Sequence, residues 1–173
     1  MVETQGTIPP GATRREQLRA GQQLVIALAD KGTPTMQAQH RVIETATTDI
    51  APEGLTISPD GTLVVTVNMR GSLFPQGSSR FTRESSLSLL TLDRQSGKLT
   101  KIDDYPFEGI LPESAVFDVK GNYLAVAVYD YFTSKPEGAV EFWQVVRKPA
   151  PTLKPMNQRI DVGRGAHQVV VAP

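Results

Sequence analysis

Three ionisable side chains stand at matching places in the sequence and could carry chemistry. Glu53 and Glu113 each follow a proline and precede a short apolar run, and His167 precedes a third such run, with roughly 55 to 60 residues between successive members. Two carboxylates and an imidazole could bind a divalent cation or serve as general acid and base. Arg164, shortly before His167, could pair with an anionic substrate.

A long polar stretch offers a second kind of candidate. Residues 71–84 interrupt two apolar runs and contain Phe74, Arg80 and Phe81 in a polar setting. Long loops of this kind are often functional, and exposed aromatic and arginine side chains suit contact with a partner. These three residues are therefore candidates for partner binding, although the stretch could equally be a mobile loop.

The elements that would position these residues form a repeat. PEGLTISPDG (52–61) aligns with PESAVFDVKG (112–121), and both align with GAHQVVVAP (165–173). Each of the first two copies leads into a second apolar run, Leu63–Val67 or Tyr123–Tyr129, and then into a third and a fourth. Asp-Gly after an apolar run is a strong hairpin signal. The repeat therefore predicts an antiparallel unit of four strands.

The second strand of each predicted unit is apolar at every position, not at alternate ones, as in LVV (63–65) and LAVAV (124–128). A sheet with one wet face would alternate, so these strands indicate sheets that are covered on both faces. Four-stranded sheets that repeat and cover one another are the blades of a β-propeller. The sequence thus predicts an all-β chain of antiparallel blades.

The blade boundaries predict an incomplete ring. We expect a loose tail over 1–21, a partial blade over 22–49, blades over 50–106 and 107–162, and the first strand of another blade over 163–173. That gives about eleven strands, whereas a closed propeller needs at least about sixteen. We therefore expect a fragment of a larger propeller, or else a chain that closes its ring by association. The apolar faces left open, with Val25, Leu28, Val170 and Val171, predict self-association.

Composition excludes several classes of function. Lys and Arg number 18 and Asp and Glu 18, so the net charge is zero and no basic surface for nucleic acid is expected. With no Cys, the chain has neither disulfides nor thiolate metal sites. No apolar run approaches the ~18 residues of a membrane span, and Leu24–Ala29 is too short for a secretion signal and fits a strand better.

The motifs resemble one known group of proteins. APEGLTISPDGTLVVTVN (51–68), followed by SLSLLTLDRQSGKLTKI (86–102), is similar to a blade of the YVTN-type and lactonase-like seven-bladed propellers. The Trp-Asp pair of WD40 repeats is missing, since Gln144 follows Trp143. The resemblance implies a location in the periplasm or outside the cell, and a site where the innermost strands begin, at the mouth of the central channel.

The function expected from the sequence is that of a binding or scaffold module, because the sequence contains no self-sufficient catalytic motif and a propeller fold does not by itself imply catalysis. The alternative is a lactonase-like hydrolase that acts on a sugar lactone or ester at the channel mouth, with Glu53, Glu113 and His167 as catalytic groups and Arg164 on the substrate. We call these four residues the mouth cluster; alternatively they are solvated residues that cap strand ends. No cofactor is expected apart from a possible divalent cation.

Overall fold

The computed structural model describes residues 22–27 and 41–172, which form ten strands and no helix. The strands are β1 (Gln22–Ala27), β2 (Arg41–Thr47), β3 (Pro52–Ile57), β4 (Leu63–Asn68), β5 (Glu84–Leu92), β6 (Leu99–Glu108), β7 (Ile110–Phe117), β8 (Tyr123–Asp130), β9 (Glu137–Val146) and β10 (Thr152–Gly163). β1 pairs with β2, and the remaining strands form two four-stranded sheets in the orders β3-β4-β5-β6 and β7-β8-β9-β10. Every pairing is antiparallel. The predicted all-β architecture of four-stranded blades in an open ring is confirmed.

Corresponding turns join the first two strands of each four-stranded sheet. Gly61 N donates to Ser58 O at 2.8 Å, and Gly121 N donates to Asp118 O at 2.9 Å. Gly61 and Gly121 have φ values of 71° and 68°. Because L-residues with side chains rarely adopt this left-handed conformation, the repeated glycine fixes where each hairpin turns.

The two four-stranded sheets share one apolar core. Leu63, Val65, Val67, Leu87 and Leu89 from the first sheet pack with Leu124, Val126, Val128, Trp143 and Leu153 from the second. The other face of the first sheet is also covered, since Val64, Leu90 and Leu99 pack with Ala46 of β2. Each fully buried Leu or Val contributes about 1.5–3 kcal/mol, so burial on both faces explains the uninterrupted apolar pattern of β4.

A polar network holds the β2–β3 connection on the first sheet. Asp49 accepts a hydrogen bond from Ser86 Oγ at 2.7 Å, and its backbone N donates to Ser88 Oγ at 3.0 Å. Asn68, fully buried, donates to both of these hydroxyl groups. Every buried donor and acceptor in such a network needs a partner. Ser86 and Ser88 of β5 are polar because their hydroxyl groups provide these partners for Asp49 and Asn68.

The outermost strand of each sheet contains residues that central strands usually exclude. Asp103 and Asp104 lie within β6, and Pro155 pairs with Trp143 within β10. β6 and β10 are edge strands. An edge strand exposes one row of backbone groups to solvent, so it tolerates proline and charged residues that a central strand excludes.

The strand of another blade that was expected over 163–173 is not formed among the described residues, where β10 ends at Gly163. Residues 164–172 have no regular secondary structure, and Val170 and Val171 are 74% and 41% exposed. A strand is stabilised by a ladder of bonds to a neighbour, and the described residues supply none to this segment. The expected tail over 1–21 and Leu28 lie outside the described residues, and self-association stays a prediction.

Within the part of the chain that is described, no helix combines the length and apolar character needed to cross a membrane.

Candidate functional site

The two glutamates of the mouth cluster lie on the innermost strands of adjacent sheets. Glu53 is in β3 and Glu113 is in β7. The strands pass so closely between these positions that a Cβ added at Gly54 would lie 2.4 Å from the carbonyl oxygen of Glu113. The repeat therefore brings its equivalent positions together, because successive units turn about a common axis.

His167 reaches the same place from the segment that follows β10. Two backbone donors fix that segment: Gly165 N donates to Tyr129 O at 3.0 Å, and Val169 N donates to Ser114 Oγ at 3.1 Å. His167 Nδ1 then lies 3.1 Å from Glu113 Oε1. The histidine is held by hydrogen bonds to the second sheet and not by a strand of its own.

Glu113 and His167 differ in environment. The Glu113 side chain is 13% exposed and that of His167 is 66% exposed. Burial raises the pKa of Glu113 above its ordinary value, the positive charge of protonated His167 opposes this, and the negative charge of Glu53 adds to it. A buried carboxylate thus contacts an imidazole that is open to solvent, an arrangement suited to acid–base chemistry.

Arg164 is paired within the protein. Its Nε lies 2.8 Å from Asp130 Oδ2, and its guanidinium lies 5.5 Å from the centre of the Tyr129 ring. The Tyr129 ring also meets the His167 ring edge to face at 5.3 Å. Arg164 therefore lies close to His167, as expected from its spacing, but its charge is already directed at Asp130. Sequence reasoning missed Asp130 and Ser114 as positioning groups, although Ser114 directly follows Glu113.

The geometry gives the divalent cation little support. Among residues 22–27 and 41–172, no three His, Asp or Glu side chains are arranged to hold a metal ion.

The three candidate partner-binding residues contact side chains of their own chain. Arg80 stacks over the Phe74 ring at 3.8 Å, and Phe81 meets Phe132 of the β8–β9 connection edge to face at 5.6 Å. All three candidates are half-buried. Their loop thus packs against the β8–β9 connection, and a role in partner binding stays a prediction.

A model of a known protein family matches a large part of this chain. The model for "Lactonase, 7-bladed beta-propeller" matches residues 25–131. The chain belongs to this family. The resemblance seen in the sequence is thereby confirmed, and the match includes both glutamates of the mouth cluster.

Solved structures agree with the lactonase propeller fold. A candidate 6-phosphogluconolactonase from Bacteroides fragilis superposes with a TM-score of 0.56 at 18% identity, covering 76% of this chain and 33% of its own. The periplasmic gluconolactonase of Pseudomonas aeruginosa gives 0.54 at 22% identity, covering 75% and 32%. A candidate 6-phosphogluconolactonase from Bacteroides uniformis gives 0.53 at 16% identity, covering 78% and 36%.

This lactonase-family chain spans about a third of the length of those structures. No curated protein matches it.

Proposed function

We propose that this chain provides the hydrolytic site of a sugar lactonase at the mouth cluster. The observation that carries the proposal is the contact between His167 Nδ1 and Glu113 Oε1 at the inner strands of a lactonase-family propeller. Family membership favours this hydrolase over the scaffold module expected from the sequence.

Each partner of the pair has a distinct part in the reaction. Glu113 accepts a hydrogen bond from Nδ1–H of His167, which orients the ring and leaves Nε2 to act as the base. Nε2 takes a proton from water as the water oxygen adds to the lactone carbonyl. The bond between the carbonyl carbon and the ring oxygen then breaks, and the imidazolium returns the proton to that oxygen. The product is an open-chain sugar acid.

The charges at the site favour a neutral lactone. Glu53, Glu113 and Asp130 bring three carboxylates, whereas Arg164 brings one cation that is already paired with Asp130 at 2.8 Å. A phosphorylated or acidic sugar would meet net repulsion there. We therefore propose an uncharged aldonolactone as the substrate class.

The test is hydrolysis of D-glucono-1,5-lactone by the full chain, followed by acid release at constant pH. We expect a rate above the spontaneous rate, and a loss of at least about 100-fold in the catalysed rate for His167→Gln, the usual loss when a general base is removed. Lys120→Gln, an exposed change in a turn, is the matched control. Equal rates with and without the chain would contradict the proposal.

The periplasm is the proposed compartment. Support comes from one structural neighbour, the Pseudomonas aeruginosa gluconolactonase, which is itself described as periplasmic. Fractionation of cells that express the chain from its native locus tests this, and recovery with cytoplasmic markers would contradict it.

A further inference from the structure

A cavity separate from the mouth cluster lies between the outer parts of the two four-stranded sheets. Its volume is about 600 Å³, within the range of sites that hold small organic molecules. β6 forms one wall and β9 and β10 form the other. The residues on which the argument depends are Phe107, Tyr131, Glu141, Trp143 and Arg159. We call this space the outer cavity.

A break in β10 shapes the outer cavity. The pairing of β10 with β9 shifts register between Pro155 and Arg159, and Asn157 inside the break has a φ of 55°. Pro155, Asn157 and Arg159 all line the cavity. The irregular part of β10 thus coincides with the concave surface. Bulges redirect side chains and are frequent beside functional sites.

The inner wall is aromatic and contains an unpaired donor. Phe107 and Trp143 meet edge to face at 5.9 Å. Trp143 is 3% exposed, and its indole N–H is the one buried side-chain polar atom without a hydrogen-bond partner among the described residues. A buried N–H group without a hydrogen-bond partner lowers the stability of the fold. The wall therefore contains a donor that an acceptor on a ligand would satisfy.

The charged groups at the outer cavity leave an excess of carboxylates. Arg159 lies over the Tyr131 ring at 4.7 Å and bonds Asp161 at 2.7 Å, with Glu137 at 3.7 Å. Glu141 accepts the Tyr131 hydroxyl at 2.7 Å and forms no ion pair within the described residues. Burial raises the pKa of Glu141 above its usual range, and the charge of Arg159, which lies across from Glu141 in the strand pairing, opposes this rise. Arg159 forms its close ion pair with Asp161, so the Glu141 carboxylate is left without a salt bridge of its own.

We propose that the outer cavity binds a small organic cation with an apolar or aromatic body. The ammonium group would pair with Glu141, and the body would pack against Phe107 and Trp143, where aromatic faces also attract cations. A hydroxyl or carbonyl on such a ligand supplies the acceptor that the Trp143 N–H lacks. Anions are disfavoured by the surrounding carboxylates.

The experiment uses the fluorescence of Trp143, the single tryptophan of the chain. Three probes of similar shape differ in charge: 2-phenylethylamine, 2-phenylethanol and phenylacetate. We expect a saturable change in emission with the amine, binding of the alcohol about tenfold weaker, and no binding of phenylacetate. Glu141→Gln, which keeps an acceptor for the Tyr131 hydroxyl, should remove the difference between amine and alcohol.

Asp103→Asn is the matched control, since it removes one exposed carboxylate from β6 that does not line the cavity. It should leave the affinity for the amine unchanged. Equal affinity of the wild type for amine and alcohol, tighter binding of phenylacetate, or no saturable change with any of the three probes would each overturn the proposal. The lactone assay above is unaffected by any of these results.

Discussion

Arg147 Nη1 donates a hydrogen bond to Asp60 Oδ2 at 2.8 Å, which ties the end of β9 to the β3–β4 turn of the other sheet. Arg147 also reaches the carbonyl of Gly121 in the equivalent turn of its own sheet, at 3.4 Å. One guanidinium thus joins the repeated turns of both sheets. Burial of Asp60 opposes its ionisation, but hydrogen bonds from Ser58 and Thr62, with the charge of Arg147, lower its pKa from 3.8 to about 2.

This contact makes stability depend on pH. Because the pKa of Asp60 is lower in the folded state, its stabilisation is complete above the unfolded pKa near 4 and is lost as pH falls through about 2. The carboxylate is about half exposed, so Asp60→Asn should lower the free energy of unfolding by only about 0.5–1 kcal/mol at neutral pH. Urea denaturation at several pH values should show this difference shrinking in acid. A difference that stays constant would contradict the assignment.

The pKa of Glu113 should respond in opposite directions to its two charged neighbours. Glu53→Gln removes a repelling carboxylate and should lower the pKa of Glu113, whereas His167→Gln removes an attracting cation and should raise it. Carboxyl chemical shifts followed by NMR during a pH titration measure both. Asp103→Asn is the control, and shifts of the same sign in both variants would show that the three side chains do not interact as described.

Asp130 should control how the mouth cluster treats charged substrates. Asp130→Asn keeps an oxygen for the hydrogen bond from Tyr131 N at 2.8 Å but removes the charge that engages Arg164. If the proposed lactonase activity is present, the rate with 6-phosphogluconolactone relative to gluconolactone should rise about fivefold, equivalent to about 1 kcal/mol of released charge interaction. An unchanged ratio of kcat/KM would show that Arg164 does not face the substrate.

Gly54 should be sensitive to any side chain. A Cβ at this position would lie 2.4 Å from the Glu113 carbonyl oxygen, and a backbone group cannot move away as a flexible side chain can. Gly54→Ala should therefore cost about 1–3 kcal/mol of unfolding free energy, as overpacking does. Gly77→Ala is the matched control because nothing lies within 4 Å of its added Cβ. Equal urea midpoints for the two variants would contradict the close approach of β3 and β7.

The sequence predicted most of the features that recur in each four-stranded unit, and few of the features that occur in one unit only. Equivalent positions in a repeat are related by rotation, so the alignment of Glu53 with Glu113 was enough to expect them on adjacent inner strands. The partner of Arg164 depends on the path of the chain after β10, which no periodic pattern describes. The outer cavity depends on the register break between Pro155 and Arg159, and a bulge of this kind is set by the neighbouring strand as much as by local residues.

The outer strands also determine how copies of this chain can meet. β6 and β10 leave one row of backbone groups unpaired within the described residues, and such edges invite strands of other molecules to add on and build aggregates. Pro106 and Asp103 in β6, and Pro155 with its adjoining break in β10, make both edges poor templates for that growth. These features disfavour growth by addition of strands at either edge, so if copies of this chain associate, we expect the contact to form between sheet faces.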